Sequence, residues 1–179
     1  MWEMDLAWAY VFRDKWPCVG LSSISNEALF SAQNQKDIEM ECTINWQPQS
    51  GMAFIAETGS GHVLAMDGAP DGGGRNLAPR PMETVLAGTG GCTAYDVILI
   101  LKRGRHDVTN CQVKLTAERA DADPKVFTKI HMHFVVTGNN LPEAAVARAI
   151  AMSHEKYCSA SIMLAKTAAI TTGFEILTV

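Results

Sequence analysis

From residue 41 onward, apolar and polar residues alternate in three short runs, 41–47, 52–57 and 61–66, which predict strands with one covered face. Gly51 and the Gly59-Ser60-Gly61 turn interrupt these runs where hairpins need them. The glycine- and proline-rich stretch 67–81 predicts a mobile loop. Its Gly72-Gly73-Gly74 triplet lacks the following Lys-Ser/Thr of a phosphate-binding loop. Beyond it the period changes. Pro81 suits a first helical position, Glu83 complements the helix dipole, and the helix is predicted to run to Arg103 and stop at Gly104. Positions 97–101 are apolar on every side, which predicts a buried central helix.

Alternation resumes over 111–118, with Cys111, Val113 and Leu115 inward. It continues over 127–136, where Phe127, Ile130, Met132, Phe134 and Val136 turn inward with one slip. Pro142 opens a second helix to about residue 156, a short helix follows over 159–167, and a last strand covers 170–177. Strands, helix, strands, helix and strand in this order predict an α+β fold. Residues 1–39 differ: Trp2, Trp8 and Trp16 crowd together, and 22–35 has little period. The functional domain is therefore expected over 40–179, with 1–39 as an N-terminal extension. A helix packing its tryptophans on the domain is the alternative.

Composition narrows the function classes. The 179 residues are 47% hydrophobic and 19% charged, enough for a folded core and too apolar for disorder. A net charge of −4 argues against nucleic acid as a partner, since phosphate binding needs a basic stripe. No uninterrupted apolar run has the length of a membrane span, so no membrane partner is expected. Glu3 and Asp5 stand where a signal peptide needs positive charge, which leads to an expectation of a cytoplasmic protein. The five cysteines, Cys18, Cys42, Cys92, Cys111 and Cys158, form no clustered pair, hence no disulfide framework and no zinc spacing.

Two of those cysteines carry the candidate chemistry. Cys92 follows Gly88, Gly90 and Gly91 on the central helix, and Cys158 follows Tyr157 at a helix junction. They are 66 positions apart (158 − 92), so only the fold can bring them together. Two thiols from separate elements can attack a peroxide and close a disulfide. Glycines cost a helix about 1 kcal/mol each, so the cluster predicts either a close backbone neighbour or a helix break before Cys92. A break would free N–H groups to lower the thiol pKa; a continuous helix would need a cation instead. The bland reading makes Cys92 a small core residue. Cys111 reads as core. His131 and His133 share a strand face but lack a third metal ligand, and His154 could pair with Cys158 at i, i+4 as a hydrolytic nucleophile. No metal site is expected.

The combination Pro-Met-Glu, Gly-Gly-Cys-Thr-Ala-Tyr-Asp-Val, Lys-Arg-Gly-Arg-His-Asp-Val and Glu-Lys-Tyr-Cys-Ser resembles the OsmC/Ohr family, osmotically inducible protein C and organic hydroperoxide resistance proteins. Within it, the motifs look nearest the YhfA-like branch. The resemblance covers 40–179. It implies an intertwined homodimer with an N-terminal antiparallel β-sheet, a long central helix and a second helix, with reactive sites at the subunit interface. It implies that Cys92 attacks an organic hydroperoxide and that Cys158 resolves the sulfenic acid to a disulfide. A dithiol or dithiol-protein reductant reopens the bond, and no bound cofactor is needed. Glycines 88, 90 and 91 would mark close helix crossings. The sequence departs from the family at the arginine and glutamate that hold the reactive thiolate. No arginine lies between residues 40 and 74, and Glu83 is nine positions before Cys92, on the opposite helix face. Arg80, with Arg75, is the candidate replacement cation, and Glu83 and His62 are further candidates for supporting the thiolate or binding substrate, His62 as a base or substrate-polarity setter. A non-catalytic redox-sensing or small-molecule-binding protein of the same family is the alternative.

Overall fold

A computed structural model describes residues 40–179; the predicted extension over 1–39, with Cys18, lies outside the described residues. The described residues form two three-stranded sheets, joined in the chain by one long helix. Strands β1 (Cys42–Gln47), β2 (Ala53–Thr58) and β3 (Val63–Met66) form an antiparallel meander in that order. Helix α1 (Pro81–Arg103) leads to β4 (Asp107–Arg119) and β5 (Phe127–Asn139), an antiparallel pair. Helix α2 (Glu143–Met152), a π-helical turn (Ser153–Tyr157) and helix α3 (Ser159–Leu164) then cross over to β6 (Ala169–Thr178), which pairs parallel to β5. Parallel neighbours need such a long connection.

The core lies between the second sheet and the helices. Ile130, Met132, Phe134 and Val136 of β5 meet Val97 and Leu101 of α1 and Val146, Ala149 and Ile150 of α2. Helix α1 has the length and composition of a membrane span. Its Val97 and Leu101 instead pack into this core. The slip in β5 has a local cause: Arg119 pairs with Phe127 but Glu118 with Lys129, so Thr128 is extra. This bulge resets the alternation and turns both Phe127 and Ile130 inward. The second predicted helix is not uniform. After Met152 its winding widens into the π-helical turn, a feature frequent at functional sites.

The predicted mobile loop is pinned. Asp67 is fully buried and accepts N–H groups from Gly68 at 2.7 Å and from Arg75 and Leu77 at 3.0 Å. These bonds, Leu77 first, hold its carboxyl below the usual range against the opposing effect of burial. The first sheet is built differently from the second. Every residue of β1 is exposed, and so are the apolar side chains of Ile44, Trp46, Val63 and Leu64.

Candidate functional site

The glycine cluster resolves without a helix break: α1 is continuous through Cys92. Gly90 is the close approach, since a Cβ there would meet Leu115 Cδ1 of β4 at 2.6 Å. Gly88 and Gly91 face open space among the described residues. Cys92 is therefore a mid-helix thiol, partly exposed, on a helix held tightly against the sheet.

The fold brings Cys158 to it. The π-helical turn delivers Cys158 to the N-cap of α3, fully buried, where its sulfur accepts the Ser161 N–H at 3.4 Å. Asp96, one turn after Cys92, completes the cluster: the two sulfurs and an Asp96 carboxylate oxygen all lie within 4.8 Å of one another. Ser153 Oγ donates to Asp96 Oδ2 at 3.1 Å and contacts Thr93 Oγ1 at 2.9 Å. Ser153 and Thr93 are buried, so the chain of hydroxyls fixes the carboxylate.

The electrostatics run against an activated Cys92. Burial pushes its thiol up, and so does the hydrogen bond with Cys158, which favours the protonated form. The Ala160 N–H opposes these, and the nearby charges of Cys158 and Asp96 raise the thiol further. A continuous helix calls for a cation beside the thiol, and none pairs with Asp96 among the described residues.

The other predicted site residues lie elsewhere in the protomer. Glu83 Oε2 accepts the Arg80 N–H at 2.9 Å and caps the start of α1. Arg80, Glu83, Asp67 and Arg119 line a cavity of about 440 Å³ at that end. Nine helical residues at ~1.5 Å each put Glu83 roughly 13 Å along the axis from Cys92. Arg75 reaches Gln49 O at 3.1 Å, beside the first sheet. His62 sits exposed in the β2–β3 turn with Nδ1 at 3.1 Å from Ser60 Oγ. His154 Nδ1 is buried with no partner among the described residues, so it bonds neither sulfur. Cys111 is half-buried on β4, paired in register with Val136. His131 and His133 lie side by side on β5, with His131 Nδ1 bonded to Thr171 Oγ1 at 2.8 Å.

Asp96 and Ser153 were not foreseen from the sequence. Asp96 had a signal, since i, i+4 from Cys92 on a predicted helix is one face. Ser153 had none, because its position depends on the π-helical turn.

Comparison with known proteins bears on the family and the fold. A family model described as OsmC-like protein matches residues 72–173. Protein YhfA of Escherichia coli strain K12 is 48% identical over 137 residues, 76% of this chain and 98% of that protein. A solved structure from structural genomics is 46% identical at a TM-score of 0.70, covering 78% of this chain and all of its own. An organic hydroperoxide resistance protein from Legionella pneumophila superposes at a TM-score of 0.58 with 14% identity, over 76% of this chain and 96% of its own. At that identity the likeness is one of fold.

Proposed function

The chain belongs to the OsmC-like family, and from that premise we propose that it is a thiol-dependent peroxidase that reduces organic hydroperoxides in oxidative-stress defence. The observation that carries the reading is the closeness of Cys92 and Cys158, a partly exposed sulfur beside a fully buried one. A hydroperoxide reaches the exposed thiol first. Cys92 sulfur attacks the O–O bond, the alkoxide leaves with the thiol proton as an alcohol, and Cys92 becomes a sulfenic acid. The Cys158 thiol then displaces water from that sulfur and closes the disulfide. An external dithiol, oxidised in turn, restores both thiols. No bound cofactor enters these steps.

The working unit is a homodimer. Gly88 and Gly91 leave an open face on α1 beside exposed Tyr95, and the first sheet presents Ile44, Trp46 and Val63. A second copy covering these surfaces would enclose the thiols and add residues to them. A reducing, cytoplasmic setting suits a pair that must be reopened after each turnover.

The raised Cys92 thiol favours a second reading, a redox sensor or small-molecule binder without turnover. Consumption of cumene or tert-butyl hydroperoxide with a dithiol separates the two. Multiple turnovers are expected; a single stoichiometric oxidation supports the sensor, and no oxidation of either thiol rejects peroxidase and sensor alike and favours a small-molecule binder.

A further inference from the structure

The sequence spacing of the cysteines contains no zinc motif, yet the fold brings two thiols and a carboxylate together. We infer that Cys92, Asp96 and Cys158 form a divalent metal site suited to zinc, whose ion holds the thiol pair reduced and leaves when the disulfide forms. Three donor atoms from two separate segments already lie within 4.8 Å of one another. Two Zn–S bonds of ~2.3 Å at a tetrahedral angle put the sulfurs about 3.8 Å apart, so small side-chain rotations close the site. Two thiolates and one carboxylate suit a borderline-soft ion without redox chemistry, and three protein ligands leave a fourth position open.

The surroundings are those of a ligand set. Ser153 fixes the Asp96 carboxylate and is itself bound to Thr93, both buried, which is how outer residues orient metal ligands. The Ser161 N–H points at the Cys158 sulfur, supporting its charge as a thiolate ligand. Three groups that can each carry a negative charge face one another, and no lysine or arginine pairs with Asp96 among the described residues. A cation between them balances that charge.

Metal and disulfide are mutually exclusive occupants of the two sulfurs. Two thiolates, one hydroperoxide and two protons give a disulfide, an alcohol and water, and the zinc ion departs with its charge unchanged. The binding stands without the peroxidase reading; the release rests on it.

The reduced full-length chain, titrated with cadmium chloride, is expected to show a saturable thiolate-to-metal absorption at one ion per chain. Cys92→Ser and Cys158→Ala should abolish it, Asp96→Asn should weaken it about tenfold or more, and Cys111→Ser should leave it intact. X-ray absorption of the zinc-loaded wild type gives a readout independent of variant folding, with two sulfur neighbours expected. Absence of a saturable band, a band that persists in Cys92→Ser, or a zinc shell with fewer than two sulfurs overturns the site. One equivalent of hydroperoxide should then free the ion to a chromophoric chelator. Binding with no disulfide formed in either the zinc-loaded or the metal-free protein keeps the site and rejects the peroxidase reading. Disulfide formation with the ion retained rejects the exclusivity.

Discussion

The first sheet and the second layer contain similar apolar residues but handle them in opposite ways. In the second layer Phe134, Ile130 and Val97 have no exposed surface at all, because strands β4–β6 lie directly under the helices. In the first sheet Trp46 is 56% and Val63 68% exposed, although β1–β3 alternate just as regularly. Alternation therefore states which face wants cover; it does not say whether the same chain supplies it. The second layer is complete within one protomer, and the first sheet is completed by the proposed dimer.

Substitutions should separate the two regions sharply. Phe134→Ala empties a fully enclosed site and is expected to destabilise the protomer by about 3–5 kcal/mol. Ile44→Thr with Val63→Thr should change protomer stability by less than ~0.5 kcal/mol each, yet weaken dimerisation. Chemical denaturation at several protein concentrations, with sedimentation, reads both effects. Equal losses in the two regions would mean that the first sheet is covered within the chain.

Asp67 lies where the two regions join. Its folded-state carboxyl is lowered, chiefly by the Leu77 N–H. Its stabilisation is therefore complete above the ordinary carboxyl value of ~3.9 and is lost as pH falls through the lowered one. Asp67→Asn should lower stability at neutral pH and flatten the acid limb of the stability–pH curve. An unchanged acid limb would show that the bonds to Gly68, Arg75 and Leu77 are not the cause.

Helix α1 contains the same contrast on a smaller scale. Gly90→Ala forces Leu115 to shift, whereas Gly91→Ala meets nothing among the described residues. Helix propensity alone makes Gly91→Ala stabilising by roughly 1 kcal/mol. If a partner helix covers that face, the same change should instead weaken the dimer. Gel filtration with thermal unfolding distinguishes the outcomes.

The elements were legible because period 2 and period 3.6 both persist across this chain, down to the slip that marks the bulge at Thr128. The site was legible only in part. Cys92 and Cys158 stood out through their motifs, but the wide π-helical turn that seats Cys158 beside Cys92 depends on packing against α1. For the same reason Ser153 and the Ala160 and Ser161 N–H groups carried no signal. Arg80 and Glu83 stand out as charges near a helix start, and there they stay, about three helical turns from Cys92 at the rim of the cavity. Asp96 does not stand out because a thiolate in a continuous helix calls for a cation, whereas the fold supplies an anion.

That anion makes the subtlest prediction. Burial is the first cause of the raised Cys92 thiol, and the Asp96 charge adds to it. The rate of Cys92 oxidation should thus keep rising with pH beyond the ordinary thiol value of ~8.5. Asp96→Asn removes one raising contribution and should move that profile to lower pH, leaving the burial effect in place. A profile unmoved by Asp96→Asn would rule out electrostatic contact between the two side chains.

The central claim is that Cys92 and Cys158 act as one redox pair, and peptide mapping by mass spectrometry after one equivalent of organic hydroperoxide tests it most directly. The account predicts a Cys92–Cys158 disulfide in the wild type. In Cys158→Ser it predicts a sulfenic acid on Cys92 that dimedone traps, and in Cys92→Ser neither product. A disulfide from Cys92 to Cys111, or both thiols intact under excess hydroperoxide, would contradict it.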